Sequence, residues 1–234
     1  MRGSTEETTT AVGNFTALGI RLAVYMLVSL AIATSVRELA RARTASTLGD
    51  PTPRLWGRLT LNPKAWFEPF GSGLVPGLIA VLWTVQVLVI PAAYGKPAPV
   101  DPSYLRRTRD LVFVSIAGPI ANLTLAIVAG LLVRMAIFPL EGARALVVFA
   151  FTNAASLVFH LLPIPGLDGA RVVGMLLPPQ AREVYRNADK YLPLFVLVAL
   201  FVFSTLTLGF LTTLAGAICD AATGLPCEQV MQIG

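Results

Sequence analysis

Long apolar runs, separated by short basic and proline-containing segments, dominate the pattern of this chain. Four runs are each long enough to cross a hydrocarbon core, which needs about 20 helical residues. They lie at about 15–36, 111–137, 145–163 and 192–218. A fifth apolar run lies at about 73–93. The pattern predicts an all-α integral membrane protein with four or five transmembrane helices.

The charged residues in the flanking loops indicate whether the run at 73–93 crosses the membrane. If it crosses the membrane, the basic loop before it and the basic loop after it lie on opposite sides; if it enters and returns, both lie on one side. Lys and Arg concentrate on the cytoplasmic side of membrane proteins, so the second arrangement is favoured. Gly73, Pro76 and Gly77 at its start and Pro91 at its end suit broken backbone buried in protein. We expect four spans, one re-entrant segment and both termini outside; a plain fifth helix is the alternative.

Composition supports a membrane protein and argues against nucleic acid as a partner. The 234 residues are 55% hydrophobic and only 13% charged, which exceeds the apolar share of ordinary soluble domains. The net charge of +5 comes from basic residues between apolar runs rather than from one basic face. We expect membrane lipids as partners, no nucleic acid, and one membrane domain over 1–234.

The chemistry of the chain centres on the stretch Arg37-Glu38-Leu39-Ala40-Arg41. Its spacing is that of the helical zinc motif His-Glu-x-x-His, in which two histidines one turn apart hold the metal and the Glu activates its water. Here arginine stands at both histidine positions. A guanidinium has no free lone pair and stays protonated, so neither Arg37 nor Arg41 can bind a metal cation.

Around this motif the chain resembles the site-2 protease family of intramembrane zinc metalloproteases. Five further blocks occur in the family's order, at 48–52 (Leu-Gly-Asp-Pro-Thr), 57–63, 95–100, 117–122 and 161–169. The match covers about 30–180, and the run at 192–218 is an additional C-terminal helix. The resemblance implies a site-2-protease-like bundle with a re-entrant segment and a short β-hairpin region after the first helix.

The resemblance also assigns family roles to positions in this chain. Glu38 occupies the general-base position, and Asp168 occupies the position of the third zinc ligand beside Arg37 and Arg41. Active relatives carry zinc, but no cofactor is expected here. As an alternative, the one histidine, His160, and Asp168 hold a metal together with an unusual third ligand.

One further departure from the family lies at 65–69. Trp66 and Glu68 stand where active relatives commonly have a histidine and an aspartate.

Two arginines carry the same formal charge as zinc held by two neutral histidines. We therefore predict that Arg37 or Arg41 pairs with Asp168, and with Glu38, as a structural replacement for the metal, since a buried carboxylate is tolerable only when paired. The alternative is that 37–43 lies at the cytoplasmic interface with its side chains reaching the lipid headgroups.

Other polar and turn-forming residues are candidates for a structural role or for a substrate groove. Asn122 and Asn153 lie within apolar runs, where an amide usually bonds a neighbouring helix; lining a vestigial groove is the alternative. Pro163, Pro165 and Gly169 disfavour continuous helix, and in relatives such a segment clamps an unwound substrate.

The two cysteines, Cys219 and Cys227, lie outside under this topology, where an oxidising environment permits a disulfide. Two free thiols are the alternative.

These features together favour a catalytically inactive site-2-protease-like protein of the cell membrane. It crosses the membrane several times, has its degenerate site toward the cytoplasm, and binds or scaffolds a membrane-protein partner or a transmembrane helix. The alternatives are an active intramembrane zinc metalloprotease with a non-standard metal site, and a structural subunit of a larger membrane complex.

Overall fold

The computed structural model describes residues 3–85, 87, 89–107, 109–201 and 209–232, and the only regular secondary structure in these ranges is helical. Three helices are long and apolar enough to cross a membrane, at Ala17–Thr47, Asp110–Arg134 and Leu140–His160. The first belongs to helix α1, Gly3–Thr47; we label the other two α5 and α6 by their place in the chain. These helices indicate a membrane protein.

Helices α1, α5 and α6 pack against one another and form the centre of the bundle. Helix α6 is the most enclosed, since nearly every residue from Val147 to His160 is buried. Its core side chains, such as Phe151, belong to the same apolar cluster as Met26 of α1. The site described below lies where α1 and α6 approach their C-terminal ends.

The segment after α1 contains short turns of helix rather than the expected β-hairpin. Helix α2 covers Thr52–Leu55 and α3 covers Pro63–Trp66, and no residue that the structure describes lies in a strand. The β-hairpin prediction is therefore wrong. Prolines explain the difference, because they supply no N–H to a strand ladder but suit the first turn of a helix. The segment has four of them, at 51, 53, 63 and 69.

The run at 73–93 enters the bundle and returns. A π-helical turn, Pro69–Leu74, leads into α4, Val75–Thr84. The tip of α4 packs against α1 so closely that a Cβ on Gly19 would lie 2.6 Å from the Thr84 carbonyl oxygen. The chain then turns back.

Backbone hydrogen bonds show where the returning chain ends. The Tyr94 nitrogen donates to the Gly71 oxygen at 3.1 Å, and the Lys96 nitrogen donates to the Trp66 oxygen at 2.8 Å. The helical part, Pro69–Thr84, is also shorter than a full span. The segment thus begins and ends at one end of the bundle, as a re-entrant segment requires, and both basic loops lie at that end.

The C-terminal third contains short helices. A 3-10 turn, Pro102–Tyr104, precedes α5. The remaining elements are α7 (Asp168–Leu176), α8 (Pro179–Asn187), a 3-10 turn (Ala188–Tyr191), α9 (Leu192–Phe201), α10 (Gly209–Thr223) and α11 (Cys227–Gln232). The predicted span at 192–218 falls on α9 and α10, and its middle part, 202–208, lies outside the described residues.

A disulfide joins Cys219 of α10 to Cys227 of α11, which decides between the two alternatives for these cysteines. It lies at the end of the bundle where α5 finishes, because Arg134 in the last turn of α5 donates to the carbonyl oxygens of Ala221 and Ala222 at 2.7 and 2.8 Å. The disulfide and the basic loops are therefore at opposite ends of the bundle.

Candidate functional site

The four charged residues of the zinc-type motif meet in one buried cluster. Helix α1 packs against α5 and carries Arg37, Glu38 and Arg41, of which the two arginines lie against Gly118 of α5. Asp168 begins α7 and reaches the cluster from the other side. We call these four residues the charge cluster.

Two glycines of the block at 161–169 place Asp168. Gly166 adopts a φ of 93°, a left-handed conformation that glycine accepts without steric cost. At Gly169 a Cβ would lie 2.1 Å from the Leu161 carbonyl oxygen. Only glycine at these positions lets α7 start directly against the end of α6, which explains the turn that delivers Asp168.

Each carboxylate in the charge cluster contacts both guanidinium groups. Arg37 Nη1 lies 2.9 Å from Asp168 Oδ2, and Arg41 Nε lies 3.2 Å from Asp168 Oδ1. Arg37 Nη2 lies 2.5 Å from Glu38 Oε1, and Arg41 Nη1 lies 3.0 Å from Glu38 Oε2. No side chain of the four is more than 4% exposed. Two positive and two negative charges make the cluster neutral, the condition under which buried charges are tolerated.

The pairing expected from the sequence is thus confirmed as geometry. The interfacial alternative is wrong for Arg37 and Arg41, because both side chains are buried and turned inward rather than toward lipid headgroups. Arg43, by contrast, is exposed, as that alternative expects.

The carboxylate of Glu38 is saturated with donors. Besides Arg37 and Arg41, the backbone nitrogen of Ala98 donates to Glu38 Oε2 at 2.8 Å. Arg41 Nη1 also approaches Oε1 at 3.3 Å, so four contacts fill the approximately four lone-pair positions of a carboxylate. Glu38 is fully buried. Each of its two oxygens therefore accepts two hydrogen bonds from N–H donors of the chain.

Helix α5 packs against the side-chain stems of Arg37 and Arg41. A Cβ on Gly118 would lie 2.7 Å from Arg37 Cγ and 3.2 Å from Arg41 Cδ, so this glycine makes room for both arginine stems. One turn further along α5, Asn122 is fully buried, and neither amide atom has a hydrogen-bond partner among the described residues. Asn153 of α6 donates to the Phe149 oxygen of its own helix at 2.9 Å.

His160 ends α6 close to both arginines but outside their hydrogen bonds. Its Nδ1 lies 2.8 Å from the Ser156 oxygen, which makes Nδ1 the protonated nitrogen and leaves the lone pair on Nε2. That Nε2 atom is buried without a hydrogen-bond partner in the described part of the chain.

The residues at the site do not fit a zinc ion. Zinc needs three protein ligands with free lone pairs in a catalytic site. Both oxygens of Glu38 and Oδ2 of Asp168 already accept hydrogen bonds from guanidinium groups, and Oδ1 of Asp168 lies 3.2 Å from Arg41 Nε. The described residues contain no group of three His, Cys, Asp or Glu side chains placed to hold a metal. Cys219 and Cys227 are joined to each other at the opposite end of the bundle.

Trp66 and Glu68 serve as structural residues of the loop. Trp66 is buried and donates through Nε1 to the Thr60 oxygen at 2.9 Å, with the Arg58 guanidinium 5.3 Å from its ring centre. Glu68 accepts from the Gly71 nitrogen and so caps the π-helical turn.

The bent segment after α6 is held in place from outside. Pro163 accepts a hydrogen bond from the Tyr185 hydroxyl through its carbonyl oxygen, while Pro165 lies in the turn that ends at Gly166 and Leu167.

Sequence reasoning missed the part that Ala98 and Gly118 play at the site. Both belong to blocks that the sequence marks, at 95–100 and 117–122. The signal for Gly118 was its place in a small-residue block before Pro119, and the signal for Ala98 was its place between Pro97 and Pro99, which favour extended backbone.

Three relatives place this chain in a family. The protein named "Putative zinc metalloprotease YwhC" of Bacillus subtilis is 34% identical over 182 residues, which cover 74% of this chain and 78% of the relative. "Putative zinc metalloprotease Rip2" of Mycobacterium tuberculosis strain H37Rv is 30% identical over 185 residues, or 78% and 68% of the two chains. The protein of that name in Mycolicibacterium smegmatis is 31% identical over 167 residues, or 70% and 62%.

No family model matches the sequence, and no solved structure matches it. The relatives named above are site-2 proteases, and this chain belongs to the site-2 protease family of membrane zinc metalloproteases.

Proposed function

We propose that this protein is a catalytically inactive member of its family that binds or scaffolds a membrane-protein partner or a transmembrane helix. The observation that carries the proposal is the charge cluster, in which Arg37 and Arg41 pair with both Glu38 and Asp168. At the positions of the family's zinc site, two arginines and two carboxylates of the chain form four ion pairs with one another.

Peptide hydrolysis by a zinc protease needs a metal-bound water and a carboxylate that takes its proton. In this chain the carboxylate at the general-base position accepts from two guanidinium groups and from the Ala98 N–H. Moving Glu38 to serve a water would break these bonds and leave two buried cations beside Asp168 alone. The arrangement favours a resting structural site over a catalytic one.

A binding role rests on what the chain retains. Pro163, Pro165 and Gly169 still form the bent segment between α6 and α7, and Leu161 at its start is 47% exposed. A segment of this kind can contact a membrane-embedded partner without cutting it. Membrane lipids and a transmembrane helix are the partners under this proposal.

Orientation follows from two independent features. Lys and Arg gather at the end of the bundle that holds the charge cluster, and cytoplasmic loops are rich in these residues. The Cys219–Cys227 disulfide lies at the other end, and disulfides persist in oxidising compartments. The proposal therefore places a multi-pass protein in the cell membrane with the charge cluster toward the cytoplasm.

Metal content of the detergent-purified protein, measured by elemental mass spectrometry, tests the loss of catalysis. The wild-type chain should hold no stoichiometric zinc, and Arg37→His/Arg41→His should gain about one zinc per chain, because it restores three ligands around the site. Near-stoichiometric zinc in the wild-type protein, lost in Asp168→Ala, would overturn the proposal in favour of an active metalloprotease.

Photo-crosslinking tests the binding role. A photoreactive residue at Leu161 should yield a discrete crosslinked membrane protein, whereas the same residue at Ile127, which is 44% exposed on α5, should yield only lipid adducts. Identical patterns from both positions would reject a partner at the bent segment. A stable partner recovered in fixed proportion from unirradiated membranes would favour a permanent subunit over a transient client.

A further inference from the structure

A groove lies between the extended segment after the re-entrant turn and helices α7 and α8. Its volume is about 380 Å³, within the range of about 300–1,000 Å³ typical of small-molecule sites. Val100 and Leu111 line one wall, and Met175 lines the other. The interior is mainly apolar, and the groove meets the charge cluster through Ala98, which lines the groove and donates its N–H to Glu38.

A second cavity, of about 450 Å³, adjoins this groove and is basic. It is lined by Arg106 and Arg107, and it shares Pro102 and Leu111 with the groove. The two cavities therefore meet at Pro102 and Leu111, and we call the two together the amphipathic cleft. Arg106 and Arg107 are exposed and make no ion pair with the residues that the structure describes.

Three charged residues line the groove, and two of them, Arg182 and Asp189, are already engaged; Arg171 is the third. Arg182 donates through Nε to the Gly174 oxygen at 2.9 Å and through Nη2 to the Met175 oxygen at 3.2 Å, so it caps the end of α7. Asp189 lies on the α8 side of the groove, near Tyr185. Burial raises the pKa of the Tyr185 hydroxyl, and the negative charge of Asp189 raises it further. Among the described residues, the cations left for a ligand are thus Arg106 and Arg107 at the basic end of the cleft and Arg171 on the wall of the groove.

The wall formed by 97–100 argues against a peptide bound as an added strand. Such binding depends on alternating main-chain donors and acceptors along an exposed edge. Pro97 and Pro99 have no N–H, and the Ala98 N–H is bonded to Glu38. The wall therefore lacks the donors of a strand ladder, and it offers apolar contact instead.

We propose that the amphipathic cleft binds one anionic phospholipid, with the phosphate on Arg106 and Arg107 and part of an acyl chain in the apolar groove. A guanidinium fork matches a phosphate in geometry and charge. The cleft also lies where α5 begins and the basic loops gather, which is the membrane boundary expected to face anionic lipid headgroups. This binding is independent of catalysis, so it stands or falls apart from the proposed function.

Native mass spectrometry of the full-length protein in detergent, titrated with phosphatidylglycerol, tests this proposal. One phosphatidylglycerol per chain should bind more tightly than phosphatidylcholine. Arg106→Gln/Arg107→Gln should weaken binding by about 25-fold, since each basic residue near a lipid surface contributes on the order of fivefold. The matched control Arg54→Gln removes an exposed charge at the same end, outside the cleft, and should leave the affinity unchanged.

The apolar half of the cleft has its own pair of variants. A Cβ on Gly174 would lie 3.8 Å from Tyr185, an ordinary contact, so Gly174→Ala should fold and bind as the wild type does. Gly174→Leu should fill the groove and abolish binding. If Gly174→Leu does not fold, Met175→Trp fills the same space from the next position.

The possible results distinguish a bound anionic phospholipid from free inorganic phosphate. Equal affinity for phosphatidylcholine, or equal weakening by Arg54→Gln, would reject a specific anionic-lipid site. Inorganic phosphate that binds with the same dependence on Arg106 and Arg107 and displaces the lipid, while Gly174→Leu has no effect, would identify a free-phosphate site and overturn the lipid proposal.

Discussion

Glu38 Oε2 accepts a 2.8 Å hydrogen bond from the backbone nitrogen of Ala98, 60 positions later in the chain. The residue at the family's general-base position thus anchors the extended segment that follows the re-entrant turn. The bond from Ala98 to Glu38 ties the returning chain to α1. A second bond, from the Lys96 backbone nitrogen to the Trp66 oxygen, ties the same segment to α3. Glu38 therefore holds α1 and the returning segment together, and its replacement should affect folding.

Replacing Glu38 should therefore destabilise the protein. Glu38→Ala leaves two buried guanidinium groups with one carboxylate, and breaking a buried pair costs on the order of 3–5 kcal/mol. The free energy of unfolding in detergent is the measurement. Glu183→Ala, an exposed carboxylate on α8, is the control and should change stability by less than about 0.5 kcal/mol. Equal stability of the two variants would contradict a structural role for Glu38.

A double-mutant cycle should detect the pairing of Arg37 with Asp168. Their side chains are 2.9 Å apart and buried, so Arg37→Met and Asp168→Asn together should cost less than the sum of the single changes. The coupling should be about 1–3 kcal/mol. Arg37→Met combined with Glu183→Ala is the uncoupled comparison. Additive losses for Arg37 and Asp168 would show that the contact contributes nothing to stability.

Part of this site could be predicted from the sequence, because two arginines carry the same formal charge as a zinc ion held by two neutral histidines. That argument predicted that Arg37 or Arg41 pairs with Asp168, and both do. The bond from Ala98 to Glu38 was not accessible, since a backbone N–H exists at almost every residue and leaves no pattern. The number of partners on each carboxylate depends on how α7 meets α1, which the glycines of 161–169 permit but do not specify.

The observed ends of two helices also differ from those predicted, because contacts inside the bundle and not the apolar pattern alone decide where a helix ends. The first span was expected to end near 36, yet α1 continues to Thr47 because Glu38, together with Asp168 of α7, neutralises Arg37 and Arg41 inside the bundle. The third long helix was expected to begin near 145, yet α6 begins at Leu140. Glu141 is paired there with Arg144 at 2.8 Å and with Arg21 at 3.4 Å, so a polar first turn still forms helix.

Adding one methyl group at Gly118 should disturb the charge cluster. The new Cβ would lie 2.7 Å from Arg37 Cγ, close to the backbone end of that side chain, and overpacking typically costs about 1–3 kcal/mol. Gly77→Ala on α4 is the matched control, because a Cβ there would have no atom within 4 Å. Thermal unfolding of both variants in detergent is the measurement, and similar melting temperatures would contradict the close approach of α5.

Thiol labelling in intact cells should report the orientation. Gln229→Cys lies near the disulfide, and Arg54→Cys lies on α2 at the basic end; both positions are exposed. A membrane-impermeant maleimide should label Gln229→Cys at once and Arg54→Cys only after permeabilisation. Labelling in the reverse order would invert the topology and place the charge cluster outside.

The mutual pairing inside the charge cluster also constrains how this lineage can change. A single substitution of Arg37 or Arg41 by histidine leaves a buried carboxylate with one cation fewer and still supplies too few ligands to hold zinc. Each one-step intermediate is therefore less stable than the present protein and has no catalytic gain in return. Under the proposed function, building a zinc site here one residue at a time would pass through such a destabilised variant, so the arginine cluster would be hard to exchange for a metal.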